Sequence, residues 1–462
     1  MKPVLLILTV CTFLLSIYFT YDMYEHRGAS TLRINDGFND QQIKYRGKIK
    51  FNDDETAIES MSRRGYIKYT TNDKELNAEL NKQGQIEYEL YDDGAKVSIN
   101  DVAGKKILAE AIKEIIAMGF DSRGRLERIY KKGGNQAVLS EIDNLKQDYL
   151  KALYIDFLLN QPDITREQVH ILIKKIGNSV GADYEKSKLL KDLTPYAKDS
   201  LTAQAYMEAV KSIQADHEKT SVLEKLIKQS LTADMFNEIL SIAGSLGGDF
   251  EKSNILQKLI ENGSLEQPAF VKLVGIIDNM GTDFEKAKLL TKLSPQITDS
   301  LTAQTYLDAV KNMDADFERK NILENLLKQP LKVNLFNEML PIVTDLGSDF
   351  EKANIINRMI DKGTMEQGSF DKLMDVIHNM GADHEQINLL KKLAEKDRQS
   401  EEEWISLINE AGHLDGDFDK ANLMIHLSKR MPHTDPVRTA YIKVAKTINS
   451  ETEYGKVMKA AD

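Results

Sequence analysis

"GSDFEKANII", residues 347–356, returns in close variants along the chain. "GADYEKSKLL" begins at Gly181, "GGDFEKSNIL" at Gly247, "GTDFEKAKLL" at Gly281, "GADHEQINLL" at Gly381 and "DGDFDKANLM" at Asp415. The aspartates of the phrase and its weaker copies are Asp148, Asp183, Asp216, Asp249, Asp283, Asp316, Asp349, Asp383 and Asp417, at steps of 35, 33, 33, 34, 33, 33, 34 and 34 residues. A period of this size is the signature of stacked two-helix units, none of which can bury its apolar face alone. A longer repeat lies over it. "DSLTAQAYMEAVKSIQAD" at Asp199 returns as "DSLTAQTYLDAVKNMDAD" at Asp299, and "GSLEQPAF" at Gly263 as "GTMEQGSF" at Gly363, each offset by 100 residues. A block of three units has been duplicated.

Within a unit, the first helix carries a bulky residue thirteen positions before the Asp: His170, Phe236, Phe270, Phe336, Phe370 or Trp404. Tyr206 and Tyr306 serve in two shorter copies. Gly247, Gly281, Gly347 and Gly381 are expected to close that helix in a left-handed conformation. The phrase then opens the second helix. Its aspartates (Asp183, Asp216, Asp249, Asp283, Asp316, Asp349, Asp383 and Asp417) are expected to cap free N–H groups there. Ser348 with Glu351, and Thr282 with Glu285, offer capping boxes instead, and Ser264 to Gln267 and Thr364 to Gln367 offer them for first helices. Counting from the Asp, apolar residues at positions 6, 7 and 10, such as Ile355, Ile356 and Met359, join a small residue at position 4 and an aromatic at position 1 in one expected stripe. His217 and His384 take the aromatic slot in two copies.

Position 3 holds Lys186, Lys219, Lys252, Lys286, Arg319, Lys352 and Lys420, with Gln386 as a variant. Helical geometry sets it beside the stripe. Two readings stand: a ladder in which each cation pairs with an Asp or Glu of the adjacent unit and sets register, or exposed pairs that contribute almost nothing.

Upstream the period differs. Between residues 28 and 100, "QQIKYRGKIKF", "GYIKYTT", "KELNAEL" and "QIEYELY" alternate apolar and polar residues, with turn pairs Asn72-Asp73, Gln83-Gly84 and Asp93-Gly94 between them. This predicts a small antiparallel meander. "DVAGKKILAEAIKEIIAMGF" then shows helical spacing, and shorter helices run past Gly133-Gly134. The predicted domains are a membrane segment over 1–27, a β module over 28–100, connecting helices over 101–134 and repeats over 135–462. The fold class is mostly α: an α-solenoid of about nine helical hairpins resembling HEAT and TPR arrays, stacked with a right-handed turn. "TEYGKVMKAA" is the expected end cap.

The first 27 residues contain an apolar run from Val4 to about Tyr21, after Lys2 and before Asp22 and Glu25. Its length and the absence of an A-x-A-like triplet favour an uncleaved signal-anchor over a cleaved signal peptide, with the bulk of the chain outside the cytoplasm. Cys11 is the sole cysteine, so no disulfide framework or thiolate site exists downstream. A net charge of -11, with Lys and Arg interleaved among acids, excludes the electrostatic footprint of a nucleic-acid binder.

No H-E-x-x-H, G-x-x-x-x-G-K-[ST] or G-x-S-x-G motif is present, and the eight histidines are scattered, with His378 and His384 at a spacing that suits no helix face. No catalytic residue, cofactor or metal is assigned, and the chain does not read as an enzyme.

"GKIKFNDDETAIESMSRRGYIKYTT", "NAELNKQGQIEYELYDDG" and "AVLSEIDNLKQDYLKALYIDFLL" carry a resemblance. The chain resembles, over about residues 33–430, a family of bacterial membrane-anchored proteins in which a small β module precedes helical repeats with a D-[FY]-E-K phrase. Similar regions form extracytoplasmic tails of antirepressor-type membrane zinc peptidases related to β-lactam sensors. This chain lacks their zinc motif and their several membrane segments, so peptidase activity is not implied. The resemblance implies an extracytoplasmic setting. Together these readings lead to a non-catalytic scaffold on the inner membrane, holding a protein or peptide partner on the repeat surface. The alternative is an envelope sensor for a cell-wall or antibiotic-like ligand, and an enzyme of unrecognised type is a third.

Overall fold

The computed structural model describes residues 29–35, 40–329, 335–362, 368–396 and 400–461. The expected membrane segment and the Thr364–Gln367 capping box lie outside the described residues. Among the described residues no helix is long and apolar enough to cross a membrane. Within the described residues a small antiparallel sheet precedes 21 helices in helical-repeat order, and the chain divides into two compact units, one ending at Val222 and the other beginning at Leu223.

The first unit opens with strands β1 (Ser30–Asn35), β2 (Asp40–Arg46), β3 (Ile49–Phe51), β4 (Ile58–Met61), β5 (Tyr66–Thr70), β6 (Lys74–Leu80), β7 (Ile86–Asp92) and β8 (Ala95–Val97). Six of them form an antiparallel sheet in the order β1-β2-β5-β6-β7-β8, and β3-β4 is a separate hairpin. Alternation sets the register: Ile67 faces Ala78 and Leu76 faces Leu90 across neighbouring strands, all four buried on one face. The turn at Asp93-Gly94 has positive φ at both residues, as a two-residue hairpin of this twist requires.

Helix α1 (Val102–Ala117) covers that face. Its Leu108, Ala111, Ile112, Ile115 and Ile116 share one core with Ile43, Ile67, Tyr69 and Leu90 of the sheet. The predicted boundary at residue 100 therefore cuts through a core, because a one-sided sheet needs a partner for its apolar face. Glu114 of α1 fixes the packing, accepting from the Tyr69 hydroxyl at 2.8 Å and from Lys74 Nζ at 2.9 Å. Helix α2 (Ser122–Glu141) is broken at Gly133-Gly134, and its Arg125 pairs with Glu55 at 2.7 Å and with Glu141 at 2.8 Å, joining helix to sheet module. Helices α3 (Asp148–Leu159), α4 (Arg166–Ser179), α5 (Asp183–Leu193), α6 (Ser200–Lys211) and α7 (Asp216–Ile227) follow, α7 spanning the division. Helix α3 packs on α5, and α4 on α6.

The second unit continues with first helices α8 (Ala233–Ser245), α10 (Gln267–Asp278), α12 (Ser300–Lys311), α14 (Phe336–Thr344), α16 (Ser369–His378), α18 (Glu401–Ala411) and α20 (Asp435–Ala445). They alternate with second helices α9 (Asp249–Glu261), α11 (Asp283–Leu293), α13 (Asp316–Lys328), α15 (Asp349–Lys362), α17 (Asp383–Ala394), α19 (Asp417–Ser428) and α21 (Glu451–Ala460). Each first helix packs on the next first helix and each second on the next second, so two parallel rows share the core between them. The stripe at positions 6, 7 and 10 is buried as expected, Ile355, Ile356 and Met359 being at most 1% exposed. Phe270, Phe336, Phe370 and Trp404 are buried, as are Tyr206 and Tyr306, whose hydroxyls donate to the carbonyls of Leu190 and Leu290.

Two local expectations are corrected. Gly247, Gly281, Gly347 and Gly381 are not left-handed. At Gly347 the lack of a side chain serves a close approach instead, since an added Cβ would lie 3.0 Å from Asp316 Oδ2, whereas at Gly281 and Gly381 it would make only ordinary contact at 3.5 and 3.6 Å. Ser264 does not cap α10, whose N-cap is Glu266 without a side-chain bond. First helices are capped elsewhere, by Thr165, Asp199, Thr232, Asp299 and Ser400.

Candidate interaction surface

Each Asp of the phrase is the first residue of its helix rather than the cap before it. The N-caps of α5, α9, α11, α13, α17 and α19 are Ala182, Gly248, Thr282, Ala315, Ala382 and Gly416, none with a side-chain capping bond. Of the proposed boxes, Ser348 accepts from Glu351 N at 3.4 Å, and Thr282 makes none. From the first position the carboxylate points away from its own helix and takes N–H groups of the next repeat's turn. Asp183 accepts from Gln214 and Ala215, Asp249 from Gly281 and Thr282, Asp283 from Asp314 and Ala315, and Asp417 from Asn449 and Ser450, at 2.7 to 3.1 Å. Asp316 accepts from Gly347 and Asp349 from Gly381, both at 2.8 Å, and Asp383 from Asp415 at 3.2 Å. Asp148 already does so with Ala182 at 2.7 Å. Asp216 occupies the same first position of α7.

The position-3 cations complete this staple. Lys252, Lys286 and Lys352 lie 3.8, 3.7 and 3.5 Å from Asp249, Asp283 and Asp349 of their own helices, and Arg319 pairs with Asp316. Lys186 reaches the next repeat, but its partner is not an acid: its Nζ donates to the Ser212 carbonyl at 3.0 Å and hydroxyl at 3.1 Å. Lys186 and Lys286 are buried, and Lys219 and Lys420 are half-buried at the same place. Cation-to-acid pairs between repeats occur at position 9, as Lys258–Glu224, Lys292–Glu261, Arg358–Glu324 and Lys392–Asp361, and at position 4 as Lys320–Glu351.

Asp249 and Asp316 titrate below the ordinary carboxylate range. For Asp249, partial burial opposes the shift and the bonds from Thr282 and Gly281, with Lys252 nearby, outweigh it. For Asp316 the Gly347 N–H is the main cause, opposed by burial and assisted by Arg319.

The aromatic at position 1 departs most from expectation. Tyr184, Phe250, Phe284, Phe317, Phe350 and Phe418 are 62 to 67% exposed, whereas the stripe beside them is buried. Rotation explains it: at about 100° per residue, position 10 lies about 180° around the helix from position 1. In the second unit these rings stand at one position on successive packed helices, α9, α11, α13, α15 and α19, with His384 in the α17 slot. Position 5 lies beside each ring on the same face. Asn254, Asn321, Asn354, Asn388 and Asn422 occupy it, with Lys288 in one copy. The side chains of Asn254, Asn321 and Asn354 have no partner among the described residues. The result is a row of rings flanked by amides.

One further group was hidden in the sequence. His378 and His413, 35 residues apart, meet on Glu410, whereas His384 lies elsewhere and pairs with Asn388. Laying the chain out by repeat would have set the two in neighbouring columns, five residues before Asp383 and four before Asp417. A shallow pocket of about 250 Å³ lies between the starts of α8 and α10, lined by Thr232, Phe236, Gly263, Glu266 and Pro268.

No family model matches the chain. No curated protein matches it either. Among solved structures it is similar to one described as "Computational Design of Self-Assembling Cyclic Protein Homooligomers", with 11% identity and a TM-score of 0.11, over 68% of this chain and 98% of that one. A likeness at that level carries no argument.

Proposed function

We propose that the chain is a non-catalytic solenoid scaffold whose row of exposed aromatics holds an extended segment of a protein partner. The apolar run near the N-terminus would tether it to a membrane with the repeats outside the cytoplasm. The observation that carries the reading is the exposure of the same ring in copy after copy. Packing does not require an aromatic at a position 62 to 67% exposed, so its recurrence calls for a contact outside the chain.

Spacing and chemistry favour an extended chain as the occupant. Packed helices lie about 8–10 Å apart, which three residues of an extended strand span at about 3.3 Å each. Each ring can thus receive every third side chain of the segment. The neighbouring asparagine amides offer both a donor and an acceptor, which is what a peptide backbone needs. Aromatic rings have only two side-chain torsions each, so they supply contact area with little loss of side-chain freedom.

Selection of peptides from a display library on the full chain tests this. Enriched sequences should carry apolar residues at every third position, and replacing Phe284, Phe317 and Phe350 together by Ala should weaken them at least tenfold. Peptides without that period, or equal binding by the triple variant, would sink the reading.

A further inference from the structure

The geometry points to a transition-metal site, of the type that takes Zn²⁺, formed by His378, Glu410 and His413. It is independent of the aromatic row. His378 ends α16, Glu410 is the penultimate residue of α18, and His413 follows in the turn, so the three groups come from two consecutive repeats. His378 Nδ1 lies 3.0 Å from one Glu410 oxygen, and His413 Nδ1 lies 3.3 Å from the other. The two rings meet edge to face, with centroids 4.9 Å apart. One ligand atom from each residue falls within 4.8 Å of the others.

Those distances suit a shared cation. Zinc bonds to imidazole nitrogen and carboxylate oxygen at about 2.0–2.2 Å, which sets tetrahedral ligand atoms about 3.3 Å apart. Small rotations of the two imidazoles would bring both nitrogens to one ion. The donor set of two imidazoles and one carboxylate selects zinc, copper or nickel over calcium and magnesium, which prefer all-oxygen shells.

Glu410 supplies a second, independent argument. Its side chain is only 9% exposed, while His378 and His413 are 50% and 60% exposed. It sits in the last turn of α18, at the negative end of the helix dipole, where a carboxylate is disfavoured. No Lys or Arg pairs with it among the described residues; its side-chain partners are the two histidines. A buried carboxylate without a fixed cation is costly, and a divalent ion would supply the missing charge. Such an ion would tie the ends of α16 and α18 together. With three protein ligands and half-exposed imidazoles, it would keep a coordination position open to solvent, as metal sites that accept an outside ligand do.

The test uses the full chain without a histidine tag, stripped with chelator and desalted, and titrated with Zn²⁺ against a chromophoric chelator. One ion per chain should bind in the micromolar range or tighter, and the Tm should rise with added Zn²⁺ but not with Mg²⁺. His378→Ala, His413→Ala and Glu410→Gln should each weaken binding at least tenfold and remove the Tm response, while His384→Ala should change neither. Co²⁺ substitution gives a second readout, a visible band lost in the same variants. Both histidines are half-exposed, so their variants should keep the parent's circular dichroism. Failure of the parent to compete for Zn²⁺, or unchanged binding in the His378→Ala/His413→Ala double variant, would show a hydrogen-bonded cluster only and overturn the proposal.

Discussion

Asp283 Oδ2 lies 2.7 Å from the backbone nitrogen of Ala315 and 2.8 Å from that of Asp314, one repeat further on. A carboxylate at the first position of a helix thus fastens the turn that starts the next second helix. Repetition of this bond makes the Asp a register device between neighbours, a role for which local helix capping would not suffice.

Asp283→Ala should therefore cost about 1–3 kcal/mol, the range for leaving N–H groups of a turn unpaired. Asp283→Asn keeps an acceptor and should cost less. Urea denaturation of the full chain checks both, and equal losses for the two variants would argue that charge rather than hydrogen bonding fixes the turn.

The cations of the staple should not be equivalent. Lys186 donates to two oxygens of the following repeat, so Lys186→Met should cost about 1–2 kcal/mol. Lys252 reaches Asp249 in its own helix at 3.8 Å, so Lys252→Met should cost less than about 1 kcal/mol. Thermal unfolding of the two variants side by side gives the ranking, and the reverse order would contradict the assignment of Lys186 as the inter-repeat contact.

The hairpin order was legible because an aspartate every 33 to 35 residues and a buried stripe at fixed positions repeat with little noise. What the phrase does was less legible. Capping is a local property, and Asp283 looks like a cap until the fold sets Ala315 beside it. The exposure of Phe284 follows from rotation alone, since position 1 lies opposite position 10, yet an aromatic next to a charged residue invites a core reading. Glu410 gave no sign of burial. Its helix "EEEWISLINEA" carries four glutamates, and only packing separates the buried one from those on the exposed side.

Acid should loosen the stack through the same carboxylates. Asp249 and Asp316 have native pKa values below their unfolded value near 3.9. A depressed pKa contributes stability that is fully present above the unfolded value and is lost as pH falls through the native one. Stability should thus hold from neutrality to about pH 5 and fall below about pH 4. The Asp249→Asn/Asp316→Asn double variant should show a shallower fall in denaturation midpoints measured across that window. An identical slope would mean that other carboxylates set the acid limit.

Two phenylalanines separate the surface of the repeat from its core. Phe317 is 62% exposed at position 1 of α13, and Phe270 is 1% exposed in α10. Phe270→Ala should cost about 3–5 kcal/mol by leaving a cavity between packed helices. Phe317→Ala should change stability by less than about 0.5 kcal/mol, because nothing in the fold depends on an exposed ring. Denaturant midpoints of the two variants decide the matter. A loss of more than about 1 kcal/mol in Phe317→Ala would return the ring to a structural role and remove the reason to look for a partner there.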